Sequence, residues 1–288
     1  MKYLKRINES LNSKTLTKEE VIELLKKNCQ KFLSYPNKNQ SNLIFRKDED
    51  RGDFALVNPK LSTSKRIATY APTNVHNLLI SNLDSWKGWP RRNKSLIFAS
   101  AKAALYHSSE NEDLIVDYVV IPFDSTKIAT GDRSDFWDCF GKIPNRKQFH
   151  KDFSPDNYPR PSIAWYIRNL MRDLEIKQEY PETDWQKIKT LLEEAELVDQ
   201  TLIKKYFEVE GEIVWNPNMN LLENLNQLLN PTYNDFKLGD VTSTMNLYSQ
   251  VDTNDTDYLK HALESWCEDE VILIKVDMLD IILNKLEN

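Results

Sequence analysis

The residues best suited to chemistry stand near the end of the chain. Glu268-Asp269-Glu270 directly precedes Val271-Ile-Leu-Ile-Lys-Val276, an apolar run of strand length. Side chains alternate along an extended segment, so residues two apart project the same way. Two carboxylates on one side can divide labour. One holds a sugar hydroxyl and the other steers or deprotonates a nucleophile. A solvated acidic turn gives the same pattern. With 44 Asp and Glu in the chain, it is the commoner origin of an isolated E-x-E.

Other features carry cations, hydroxyls and rings. Arg46 lies at the end of the apolar run Asn42-Leu-Ile-Phe-Arg-Lys47, where a guanidinium suits a bidentate clamp on pyrophosphate. A surface arginine at a strand end is the plainer alternative, and Arg66 is a second candidate of the same kind. Ser95-Leu-Ile-Phe-Ala-Ser100 reads as a compact strand that turns at once into Ala101-Lys-Ala-Ala-Leu-Tyr106. Small residues at such a turn let backbone approach a planar ligand. Ordinary helix capping by Ser100 is the alternative. Trp86-Lys-Gly-Trp-Pro-Arg-Arg-Asn-Lys94 interleaves rings with cations, as base stacking and phosphate contact require. A loop that buries its tryptophans and solvates its charges has the same composition.

Several chemistries are not announced. His76, His107, His150 and His261 are scattered, and no G-x-S-x-G elbow exists for serine hydrolysis. Cys29, Cys139 and Cys267 are far apart and odd in number, so a metal site is not expected. Reduced thiols and a cytoplasmic location are the expectation. Six glycines form neither GxGxxG nor GxxxxGK[ST]. Residues Met1 to Arg6 carry no apolar signal core, and no run reaches the roughly 20 apolar residues of a membrane span. The net charge of −6 gives no general attraction to a phosphate backbone.

The elements that must position these residues follow from periodicity and punctuation. Residues 1 to 35 read as helix, within an N-terminal helical segment spanning 1–40; Thr17 and Glu20 form a capping box, and Tyr35-Pro36 ends the run. Strands are expected at 42–47, 65–70, 95–100, 114–123 and 271–276, with loop between 48 and 64. Helices are expected at 72–86, 101–107, 161–176, 185–198, 219–229, 255–266 and 277–286, and a short one around 136–140. Four prolines between 144 and 161 mark a boundary or long loop. The fold class is therefore α+β. The 288 residues read as a single domain with a helical insertion over 142–250.

The order of the features resembles the R-S-E pattern of arginine-type and toxin-type ADP-ribosyltransferases: a strand ending in Arg, a strand ending in Ser, and an E-x-E that leads into a late strand. The stretch from Arg66 to Phe140 also resembles uncharacterised proteins of large tailed phages. The first resemblance implies a mixed β-sheet core and NAD as substrate. Arg46 would hold the NAD phosphates, and Arg66 would be a second cation for them. Ser100 would support the nicotinamide pocket, and Glu270 would contact the nicotinamide ribose. Glu268 would orient or deprotonate the acceptor, and Tyr106 or Trp86 would stack on nicotinamide. The acceptor would be a protein or a nucleic acid in the cytoplasm of a host cell. A non-catalytic phage protein that keeps the fold and inhibits a host macromolecule is the alternative. The distance from Ser100 to Glu270, 270 − 100 = 170 residues, is accounted for by the inserted helical region.

Overall fold

The computed structural model describes residues 12–36, 42–61, 75–100, 115–133, 136–140, 170, 185–194, 208–209, 212–213, 216, 218–250 and 263–287. The chain divides into two compact units. The first comprises residues 1–66, 89–135 and 237–288, and the second comprises residues 67–88 and 136–236. Two of the expected strands and helices, 65–70 and 101–107, lie outside the described residues, as does nearly all of 161–176.

Among the described residues, the first unit is built on nine strands. These are β1 (Asn12–Thr15), β2 (Phe45–Glu49), β3 (Phe54–Asn58), β4 (Leu96–Ala99), β5 (Ile115–Pro122), β6 (Ile128–Thr130), β9 (Lys237–Gly239), β10 (Glu264–Cys267) and β11 (Val271–Lys275). Strands β7 (Glu208–Val209) and β8 (Glu212–Ile213) form a separate pair in the second unit. The order of the large sheet is β1-β3-β11-β5-β2-β4-β10-β6-β9. Every pairing among the described strands is antiparallel, where a mixed sheet was expected.

This sheet cannot lie flat. Four strand steps separate β11 from β10, roughly 19 Å at about 4.8 Å per step. Only Glu268, Asp269 and Glu270 connect the two strands, and that stretch of chain reaches at most about 14 Å. The sheet must therefore fold back between β11 and β10. The two halves meet at β2–β4, the shortest ladder of the sheet, with the single pair Phe45–Ala99. Residues from both halves enter one core: Phe45, Tyr118 and Val271 to Ile274 on one side, Leu96, Phe98, Ile128 and Cys267 on the other. β5 and β11 are apolar throughout their middles because both of their faces are buried.

Among the described residues, four α-helices complete this unit: α1 (Lys18–Asn28), α2 (Gln30–Ser34), α6 (Val241–Tyr248) and α7 (Leu279–Glu287). Thr17 and Glu20 make the expected capping box on α1. Val21 and Leu25, four apart, place one stripe of α1 in the core. Asp124, just after β5, accepts from the backbone amides of Gln30 and Lys31, and so satisfies the start of α2.

Three expectations are corrected. Residues 12–15, read as helix, form the edge strand β1 and pair with β3. Residues 48–64, read as loop, contain β3. Residues 264–266, read as the end of a helix, form β10, paired with β4 and β6.

The second unit contains α3 (Val75–Asn82), α4 (Trp185–Glu194) and α5 (Leu221–Leu228). Its described core includes Trp86, Phe136, Phe140 and Phe236, with ring centroids 5.2 to 6.4 Å apart. Residues 237–248 fall inside the expected insertion but supply β9 and α6 of the first unit. No helix among the described residues is long and apolar enough to cross a membrane.

Candidate functional site

Each acid of the E-D-E run is held by a different partner. Arg91 donates to Glu268 Oε2 from Nε at 3.0 Å and from its backbone N–H at 3.4 Å. Lys60, just past β3, forms an ion pair with Asp269. Asn58, the last residue of β3, donates from Nδ2 to Glu270 Oε1 at 3.1 Å. The run is thus a stitched crossover from β10 to β11, and its three acids are half-buried. A freely solvated acidic turn would lack these partners.

Arg46 departs from the expectation of an exposed clamp at a strand end. It is the second residue of β2 and only 6% exposed. Its Nε donates to Asp48 Oδ2 at 2.9 Å, and its Nη1 donates to the Ile97 carbonyl of β4 at 2.8 Å. The physical reason is register. β2 runs on to Glu49 because Lys47, Asp48 and Glu49 pair with Asp117, Val116 and Ile115 of β5. Residues two apart share a face of a strand, so Asp48 meets Arg46. Asp48 also accepts from Arg51 Nη2 at 3.1 Å and from the Glu49 amide at 2.9 Å. Burial alone would push its carboxyl up, but the charges and hydrogen bonds of Arg46 and Arg51 outweigh this and hold it at about 2.

Ser100 closes the other side of the β2–β4 seam. Its amide donates to the Leu263 carbonyl at 3.0 Å, and its Oγ accepts from the Leu263 amide at 2.9 Å. The serine therefore tethers the end of β4 to the start of β10. Arg66 and Tyr106 lie outside the described residues.

Arg46 lies in β2 and Ser100 directly follows its neighbour β4, while Glu268 and Glu270 lie on the crossover from β10 to β11; each of the four is held by its own partners. Trp86 and Arg92 of the 86–94 cluster are engaged within their own units, while Lys87 and Arg91 are exposed. Trp86 is buried among the phenylalanines and donates Nε1 to the Leu229 carbonyl at 2.8 Å. Arg92 is paired with Glu264, the first residue of β10, and lies 5.4 Å above the Trp266 ring. Trp266 donates Nε1 to the Pro90 carbonyl at 2.9 Å.

Glu264 is a carboxylate that the sequence reading missed. It stands opposite Ala99 and beside the Ser100 tether. Reading 255–266 as helix hid it; a strand at 264–267 would have set it two residues from Trp266, on one face. A second missed constellation is a buried hydroxyl chain. Tyr248 OH donates to Ser265 Oγ at 2.7 Å, and Ser265 Oγ donates to Thr130 Oγ1 at 2.8 Å.

Among the described residues no group of three or more His, Cys, Asp or Glu is arranged to hold a metal ion. No family model matches the chain, and neither a curated protein nor a solved structure matches it.

Proposed function

We propose that the chain is an NAD-dependent ADP-ribosyltransferase acting on a protein or nucleic-acid acceptor. The observation that carries this reading is the arrangement of three motifs. The arginine strand β2 and the strand β4, which Ser100 directly follows, are paired neighbours, and the E-x-E forms the crossover that enters β11. The described sheet is antiparallel where the resemblance implies a mixed core, so the support for this reading lies in the placement of the three motifs alone.

The chemistry suits the residues at the crossover. The bond between ribose C1′ and the nicotinamide nitrogen breaks, and its electron pair leaves with nicotinamide. The ribose then carries oxocarbenium-like positive charge, which a carboxylate at its side stabilises. Glu270 is assigned that role. The acceptor's nucleophile bonds to C1′ and loses its proton, with Glu268 as base. Arg46 fits less simply, because a phosphate would compete with Asp48 and the Ile97 carbonyl for its guanidinium.

That competition favours a second reading, in which the fold is kept without catalysis and the protein binds and inhibits a host macromolecule. NAD labelled in its adenylate phosphate, incubated with the chain and a cell lysate, separates the two. Label on a macromolecule supports the transferase. No label, with no heat of NAD binding in calorimetry, supports the binding protein.

A further inference from the structure

Glu270 stands where the chain leaves the crossover and enters β11, one step beyond the Val57–Val271 pair. The next pair outward on the two strands is Asn58 and Glu270, joined by the 3.1 Å hydrogen bond. A carboxylate can only accept, so the amide nitrogen must be the atom that faces it. Asn58 is itself fixed, since β1 pairs along the other edge of β3 and sets Asn12 opposite Asn58. The donor therefore sits on a strand bracketed by two others, with buried Val57 and Pro59 on either side of it in sequence.

The type of donor matters. A lysine or arginine at this place would pair with Glu270 and offset the negative charge that a cationic ribose requires. Asn58 orients the carboxylate through one oxygen and adds no charge. Glu268 and Asp269 are anchored separately by Arg91 and Lys60, so removal of Asn58 releases Glu270 while its two neighbours stay held.

We infer that Asn58 is a positioning residue that sets the rotamer of Glu270 against the reacting ribose. This rests on the transferase reading above. The test is steady-state release of nicotinamide from NAD by the whole chain. Asn58→Ala lowers kcat about tenfold and leaves KM for NAD little changed, because orientation is lost without loss of substrate contact. Asn58→Asp keeps the shape and so answers even if the alanine variant fails to fold. It sets a second carboxylate against the first, and facing carboxylates share a proton more readily. The acid limb of its kcat profile therefore moves to higher pH, which a merely structural role would not cause. Equal kcat in the unmodified chain and both Asn58 variants overturns the assignment while leaving the transferase reading intact. No nicotinamide release from the unmodified chain overturns both.

Discussion

At the scale of residues, the Arg46–Asp48–Arg51 network is the most consequential polar feature of the first unit. Asp48 is 5% exposed and neutralises two guanidinium groups. Its replacement by alanine leaves two largely buried cations short of their partner, a loss of about 3–5 kcal/mol in urea unfolding at neutral pH. The same carboxyl gives the chain an acid dependence. Its folded value of about 2 lies below the ordinary value near 3.9, so its contribution is complete above about pH 4 and is lost as the pH falls through about 2. The linked stability is about 2 kcal/mol. Urea midpoints measured from pH 5 to pH 2 should decline through that window, and the decline should be smaller in the Asp48 variant. The cysteines give a second residue-scale prediction. All three are buried, burial pushes the Cys29 thiol up to about 12, and Cys267 is pushed up for the same reason. A thiol reagent at pH 8 should label almost nothing in the native chain and all three thiols after denaturation.

At the scale of elements, long periodic segments were readable and short paired ones were not. The capping box at Thr17 and Glu20 located α1 because its signal is local: Thr17 Oγ1 accepts from the Glu20 amide, and Glu20 accepts from the Thr17 amide. Thr17→Ala should lower stability by about 1 kcal/mol, read as a shifted denaturation midpoint with an unchanged slope. β5 and β11 were readable as apolar runs. β3 was not, because its five residues follow the charged stretch Lys47 to Asp53 and precede a proline. Within the charged stretch lies Gly52, whose φ of +88° is a turn conformation that other residues rarely adopt. β10 was hidden for a different reason. It is four residues long, Ser265 to Cys267 are fully buried, and its partners β4 and β6 are distant in sequence. No local period encodes such a pairing.

At the scale of the whole molecule, the candidate site was legible in its order along the chain and illegible in its contacts. The E-x-E was recognised before an apolar strand, and that strand is β11. Its tethers are Asn58, Lys60 and Arg91, residues that sequence distance separates from it by more than a hundred positions. The Arg46–Asp48 pair was available in principle, since a spacing of two on a strand puts both side chains on one face. Reading the strand as ending at Lys47 removed Asp48 from it. The fold-back of the sheet explains why the late E-x-E belongs beside early strands: β10 joins the half that contains β4, β11 joins the half that contains β3 and β5, and the acidic crossover links them.

In the proposed transferase, Glu270 at this crossover stabilises the ribose of NAD as nicotinamide leaves. The direct measurement is nicotinamide release from NAD by the purified chain and by Glu270→Gln, with thermal unfolding recorded for both. The expected result is release by the unmodified chain, its loss in the variant by about a hundredfold or more, and closely similar unfolding temperatures. Equal release by the two proteins, or none from the unmodified chain, would contradict it.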